Sequence, residues 1–302
     1  MDQIKNILIA VDFSDCSKSA LEQAVRVAGW NGARLHAVHV IDPSLVGDLA
    51  ETMNATKFDA SSLLHRQAHD KLTTWINKAG GKAEAIVVVG TPIHELLSKV
   101  KEVSADLLVA GARGFSPPII GVGTLVTKLT RKAPINVLLV SEDGAPSFHK
   151  IVVCVDFSPT SALAIEQAAH VANRESGEIH CLHVFDPPWR RFHFLAPAPE
   201  VSEGFQKQYS QTLQLRLEQF VGQHKDVNLR CVLFPWSSYG QGIAQYAREV
   251  TADLVILGTL GHTNLRYILM GSTAERVLRE LPCSVLAVPP PDSENILSKP
   301  EQ

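Results

Sequence analysis

Short apolar runs alternate with helical stretches along the whole chain. In the first half, apolar residues recur every three to four positions between these runs, as at Ala20, Ala24 and Val27. Runs of strand length that are almost continuously hydrophobic are typical of strands buried on both faces of a parallel sheet. The pattern therefore predicts a doubly wound α/β domain. Its predicted strands are residues 7–11, 33–40, 85–89, 106–110 and 137–140.

The second half of the chain repeats the first. Residues 5–43 align without a gap on residues 149–187, and seventeen of these thirty-nine positions are identical. We therefore predict two domains of one fold in tandem, because the repeat is too long for a solenoid unit. The predicted boundaries are 1–141 for the first domain, 142–148 for a linker, 149–290 for the second domain and 291–302 for a tail.

Composition narrows the class of protein. The 302 residues carry a formal net charge of −3 and five cysteines without a C-x-x-C pair, and no apolar run approaches the length of a membrane span. The N-terminal sequence has no apolar secretory core. We expect a cytoplasmic protein that binds neither nucleic acid nor membrane.

Ligands of doubly wound domains bind beyond the carboxyl ends of the strands. In the second half, three strand ends and the start of the last helix meet there. Glycines permit close approach of the backbone to a phosphate, and a helix start offers backbone N–H groups and a positive dipole end. Asp156 can accept a hydrogen bond from an amine, which favours adenine over guanine. The predicted site residues are Val155, Asp156, Val184, Gly258, Gly261, Gly271, Ser272 and Thr273.

This order of residues resembles the ATP-binding pattern of the universal stress protein family, in its tandem form. The pattern is an Asp after the first strand, then G-x-x-G, nine residues, and G-(S/T). The resemblance implies five-stranded, Rossmann-like sheets of the adenine nucleotide alpha hydrolase type. It also implies adenine near Asp156, Val155 and Val184, and phosphates at the glycines, Ser272 and Thr273. The implied cofactor is ATP or a related adenine nucleotide, and Mg²⁺ is left open as its companion.

The first copy departs from this pattern. Only eight residues separate Gly114 from Gly123, Leu125 stands where the second copy has Thr273, and Pro117 and Pro118 remove backbone donors. We expect an altered or degraded site there. Its residues would be Asp12, Val40, Gly111, Gly114, Gly123 and Thr124.

Other constellations receive structural interpretations. His65 and His69 have the spacing of a metal pair on a helix, but we expect a solvated helix face and no metal site. Tyr209, Leu213, Leu217 and Phe220 have helical spacing and are predicted to be core. The chain has no Gly-x-x-x-x-Gly-Lys-Ser/Thr loop, which excludes a Walker-type ATPase.

Three functions are compatible with these residues. The first is a stress-response binding or regulatory module whose second domain binds a nucleotide. The second is a slow ATPase or phosphotransferase, for which only Arg266 offers a cation in the phosphate loop. The third is a carrier or sensor of an amphipathic ligand, such as a nucleotide-linked lipid, bound near Trp189, Phe192 and Phe194. A scaffold that binds no nucleotide is also considered.

The assembly is a separate prediction. We expect the last strands, residues 137–140 and 285–288, to pack against each other as an intramolecular pseudo-dimer, because an unpaired apolar edge strand invites aggregation. A further homodimer is left open.

Overall fold

The computed structural model describes residues 4–114, 122–190, 202–222, 229–261 and 270–291. The chain divides into two compact units, of which the first ends at Gly144 and the second begins at Ala145. In each unit helices alternate with strands.

The first unit contains five parallel strands in the order β3-β2-β1-β4-β5. Its strands are β1 Asn6–Ala10, β2 Arg34–Ile41, β3 Ala83–Val89, β4 Leu107–Gly111 and β5 Asn136–Val140. Its helices are α1 Asp15–Asn31, α2 Pro43–Met53, α3 Lys57–Lys78, α4 Pro92–Glu102 and α5 Thr124–Lys132. The strand order reverses between β1 and β4, which creates a crevice at the carboxyl edge of the sheet.

The second unit has the equivalent order β10-β9-β6-β7-β8, again with parallel strands. Its strands are β6 Lys150–Cys154, β7 Glu178–Phe185, β8 Leu229–Pro235, β9 Leu254–Gly258 and β10 Ser284–Val288. Its helices are α6 Pro159–Glu175, α7 Glu203–Val221, α8 Tyr239–Glu249 and α9 Ser272–Glu280. The prediction of two doubly wound parallel sheets is thereby confirmed.

The central strands form the core, since β4 and β10 are buried at every position. The first helix of each unit starts where the sequence predicts. Ser14 and Ser158 are N-caps whose side chains accept from the backbone N–H of Ser17 and Ser161, and Pro159 occupies the first turn of α6.

The turn between β6 and α6 has an unusual backbone. Phe157 has a positive φ of 66°, and Phe13 in the matching turn has a φ of 65°. A residue with a Cβ rarely occupies this left-handed region. Both copies thus carry the same strained turn immediately after the aspartate of the predicted site.

Candidate functional site

A cavity of about 560 Å³ lies at the carboxyl edge of the second sheet. It is lined by the ends of β6, β7 and β9, by α7 and α8, and by the start of α9. Its volume falls within the range of small-molecule sites. The lining includes every residue predicted for the second-domain site, namely Val155, Asp156, Val184, Gly258, Gly261, Gly271, Ser272 and Thr273.

Asp156 is exposed at the edge of this cavity. Its Oδ1 accepts a hydrogen bond of 3.0 Å from the backbone N–H of Ser158, the N-cap of α6. A Cβ added to Gly261 would collide with Asp156 Oδ2. The loop after β9 therefore passes directly against the carboxylate, and glycine permits that approach.

The aromatic ring of Phe157 is enclosed on several sides. The His183 ring lies 4.6 Å away between centroids, the Phe220 ring meets it edge-on at 5.6 Å, and the guanidinium carbon of Arg216 is 4.0 Å from its centroid. His183 Nδ1 also lies 2.8 Å from the carbonyl oxygen of Val155, to which it donates. These contacts hold the strained turn and fix the position of Asp156.

Burial lowers the pKa of His183 below its ordinary value. The hydrogen bond to Val155 and the charge of Asp156 act in the opposite direction, while Arg216 lowers this pKa further. His183 is therefore neutral at pH 7. The thiol of Cys154, another residue of the lining, has a pKa raised by burial and is not a thiolate nucleophile.

Gly258, the last residue of β9, and Gly261, three residues further on, have different roles. A Cβ on Gly258 would lie 2.7 Å from Cγ2 of Thr160, so this glycine makes room for α6. In the first unit, a Cβ on Gly111 would lie 2.8 Å from the backbone of Cys16 and Ser17. Gly258 thus serves helix packing as well as the cavity, whereas Gly261 serves the approach to Asp156.

The start of α9 offers fewer free donors than the sequence suggests. Gly271 is the N-cap, but its N–H donates to the carbonyl of Thr259 at 2.7 Å and is not available to a ligand. Within the described part of the chain, the N–H groups of Ser272 and Thr273 have no acceptor. The positive end of the helix dipole also faces the cavity there. Backbone donors for an anion are therefore present at Ser272 and Thr273.

The prediction that Tyr209, Leu213, Leu217 and Phe220 are core is wrong for three of them. Only Leu217 is fully buried. Tyr209 and Leu213 are half-buried and line the cavity, and Phe220 packs on Phe157. Tyr209 and Leu213, on the part of α7 that precedes Leu217, thus form part of the cavity wall. Sequence reasoning missed Tyr209, Leu213 and Arg216 as site residues, although the helical period of the first two is a usable signal.

The aromatic segment after β7 is described only as far as Arg190. Trp189 meets Tyr209 edge-on at 5.6 Å and Phe205 at 6.3 Å between centroids. Trp189 therefore packs on α7, on a residue of the cavity wall. Phe192, Phe194 and the loop arginine Arg266 lie outside the described residues.

The first unit repeats the turn around Asp12. Asp12 Oδ1 accepts from both the N–H and the hydroxyl of Ser14, and a Cβ on Gly114 would lie 2.6 Å from Asp12 Oδ2. Gly111 ends β4, Gly123 is the N-cap of α5, and Thr124 is its first residue. Val40 lies on β2 opposite Val88.

No group of three or more His, Cys, Asp or Glu side chains that could hold a metal occurs among the described residues. His65 Nε2 lies 3.2 Å from the carbonyl oxygen of Val87, and the ring of His65 stacks on that of His69 at 6.5 Å. In the described ranges, no helix is long and apolar enough to cross a membrane.

The fold and the cavity define a class: tandem doubly wound α/β domains with a ligand-sized cavity at the carboxyl edge of a parallel sheet. The sequence profile of the universal stress protein family matches residues 3–141 and 147–289. The chain therefore belongs to the universal stress protein family, and it contains two such domains in tandem.

Individual relatives agree with this assignment. Universal stress protein E from Photorhabdus laumondii is 23% identical over 321 residues, which cover 96% of each chain. The crystal structure of a universal stress protein from Archaeoglobus fulgidus has the same fold, with a TM-score of 0.68 at 19% identity over 95% of this chain and 99% of that one. A universal stress protein solved in complex with cAMP is 21% identical and covers 47% of this chain and 97% of its own, with a TM-score of 0.32.

Proposed function

We propose that this universal stress protein binds ATP or a related adenine nucleotide in its second domain and acts as a binding or regulatory module. The observation that carries the proposal is the convergence of strand ends, glycine loop and helix start on one cavity of about 560 Å³. These segments are far apart in the sequence. The strand ends contribute apolar surface that suits a base, and the start of α9 contributes backbone N–H groups that suit phosphates.

The parts of the cavity suit the parts of a nucleotide. Val184 and Ile243 are buried apolar residues of the lining, which suits the base. The N–H groups of Ser272 and Thr273 suit the phosphates. Asp156 lies at the edge of the cavity and against Gly261, so we assign it to a sugar hydroxyl, whereas the sequence alone favoured the amino group of adenine. Mg²⁺ would enter with the phosphates of ATP.

The first domain is proposed to bind no nucleotide tightly. It keeps Asp12 and the glycine at its side, but Leu125 replaces the hydroxyl of Thr273 and the loop is one residue shorter. One nucleotide per chain is the expected stoichiometry.

The decisive variant is Gly261→Val. Its side chain would displace the carboxylate of Asp156 and block the approach of the ligand, so the ATP affinity should fall tenfold or more, about 1.4 kcal/mol. Titration calorimetry with ATP in the presence of Mg²⁺ measures this affinity. Gly114→Val is the matched control, because it meets Asp12 in the same way in the other copy. An unchanged affinity in Gly261→Val, with the fold intact by circular dichroism, would exclude this site.

The alternatives have tests of their own. A slow ATPase would release phosphate in proportion to the amount of protein, and Gly261→Val would stop it. A carrier of amphipathic molecules would show an acyl-chain species by mass spectrometry of the ligand that co-purifies with the chain. Protein that neither carries nor binds a nucleotide would favour the scaffold.

A further inference from the structure

The wall of the cavity formed by α7 contains a cation. Arg216 lines the cavity together with Leu213 and Tyr209, which precede it on the same helix. Its guanidinium carbon lies 4.0 Å above the ring of Phe157, a distance typical of a cation–π contact. Arg216 is an exposed residue, and this contact brings its guanidinium to the edge of the cavity.

The donors of this guanidinium are not used within the protein as described. Arg216 makes no hydrogen bond or ion pair with any residue in the described ranges. A guanidinium has five N–H donors in its plane, and stacking on a ring consumes none of them. Their fork matches two oxygen atoms of a phosphate or carboxylate.

The position of Arg216 indicates which part of a nucleotide it would meet. In the proposed binding mode, the sugar lies beside Asp156, and Arg216 covers the next residue, Phe157. Asp156 Oδ1 accepts from the backbone N–H of Ser158, and Oδ2 lies against Gly261. In this binding mode Arg216 would border the sugar, whereas the donors of Ser272 and Thr273 belong to the start of α9.

We propose that Arg216 forms a second anion subsite, and that the ligand class is an adenine nucleotide with a phosphate on its ribose 2′ or 3′ oxygen in addition to the 5′ phosphate. This inference rests on the proposed nucleotide site. The guanidinium, stacked on Phe157, binds the ribose phosphate, while the start of α9 binds the 5′ phosphate.

The first copy supplies the comparison. Lys71 on α3 places its ammonium 4.4 Å from the centroid of the Phe13 ring, so a cation over this phenylalanine is common to both units. In the second unit this cation is an arginine, whose planar guanidinium presents paired N–H donors. Supporting the turn requires only a cation, whereas paired contacts to a phosphate require the guanidinium.

The experiment compares isomers by titration calorimetry on the full chain. ADP, adenosine 3′,5′-bisphosphate and adenosine 2′,5′-bisphosphate carry the same atoms and differ in where the second phosphate stands. One of the two bisphosphates should bind about tenfold tighter than ADP or better. Arg216→Gln should abolish that preference, so that ADP and both bisphosphates bind with similar affinity. Arg216→Lys should retain part of the preference, and the matched control Lys71→Gln should retain all of it.

The outcomes separate the two proposals. If ADP binds and neither bisphosphate binds more tightly than ADP, the subsite is refuted while the nucleotide site stands. The wild-type protein alone is sufficient for this comparison. An equal loss of ADP and bisphosphate affinity in Arg216→Gln would also refute the subsite, because it would reveal a general effect on the turn. If none of the three nucleotides binds, the proposed function itself fails.

Discussion

At the scale of the residue, the turn around Phe157 joins the fold to the cavity. A left-handed residue with a Cβ costs on the order of 1–2 kcal/mol, and packing must compensate for it. In both units an imidazole and a cation contact the phenylalanine: His183 and Arg216 in the second, His39 and Lys71 in the first. The strain is present in both copies, so it belongs to the strand-to-helix turn and does not by itself mark a ligand site.

The buried imidazoles predict a dependence of stability on pH. Burial lowers the pKa of His183 and of His39 in the folded state, whereas the unfolded chain has the ordinary value near 6.5. Below that value the unfolded state takes up protons that the folded state resists. The free energy of unfolding contributed by these groups is therefore complete above pH 6.5 and decreases as the pH falls below it.

We expect the thermal unfolding midpoint of the wild type to decrease between pH 7.5 and pH 5.5. The midpoint of His183→Gln should decrease less steeply over the same range. Differential scanning calorimetry at several pH values measures both slopes. Equal slopes in the two proteins would show that His183 does not contribute.

Some residues could be assigned from the sequence and others could not. Asp156 follows an apolar run directly, so its place at the sheet edge follows from the strand alone. Arg216 lies on α7, and nothing in its neighbourhood in the sequence shows that it stacks on Phe157. The role of Asp253 was not predicted either: its Oδ2 accepts from the backbone N–H groups of His149 and Lys150 and connects the residue before β9 to the start of β6.

At the scale of the element, the two copies end their first helices differently. Helix α1 is followed by the C-cap Gly32, which has a φ of 63°, and α6 is followed by the C-cap Ser176, which has a φ of 53°. Glycine adopts this left-handed conformation without steric cost, whereas serine does not. Nothing lies within 4 Å of the position that a Cβ on Gly32 would take, so the difference is one of backbone strain.

This difference makes a reciprocal prediction. Ser176→Gly should raise the free energy of unfolding by about 1 kcal/mol, and Gly32→Ser should lower it by a similar amount. Chemical denaturation with urea measures both changes. The idea fails if both variants shift the midpoint in the same direction.

The sequence pattern locates strands more accurately than it identifies the residues of a cavity wall. The predicted strands 33–40 and 85–89 correspond to β2, Arg34–Ile41, and β3, Ala83–Val89, because both segments are mostly apolar, although only Val87 of the edge strand β3 is buried. An apolar period on a helix shows which face avoids water, but not whether a strand or a ligand covers it. For α7 the described contacts divide that face between the core at Leu217 and the cavity at Leu213.

At the scale of the whole molecule, the packing of the two last strands stays a prediction. Each of them, β5 and β10, is the last strand of its own unit's five-stranded order. We expect small-angle X-ray scattering of the full chain to give the radius of gyration of one compact particle. A profile of two separated particles joined by a tether would contradict this assembly.

The duplicated turn has a consequence for how the chain can diverge. The turn and its aromatic contacts are shared by both units, whereas the spacing after Gly114 and Gly261 is not. The loop of one copy can therefore change in length without loss of the turn, because the turn recurs in both copies although that spacing differs.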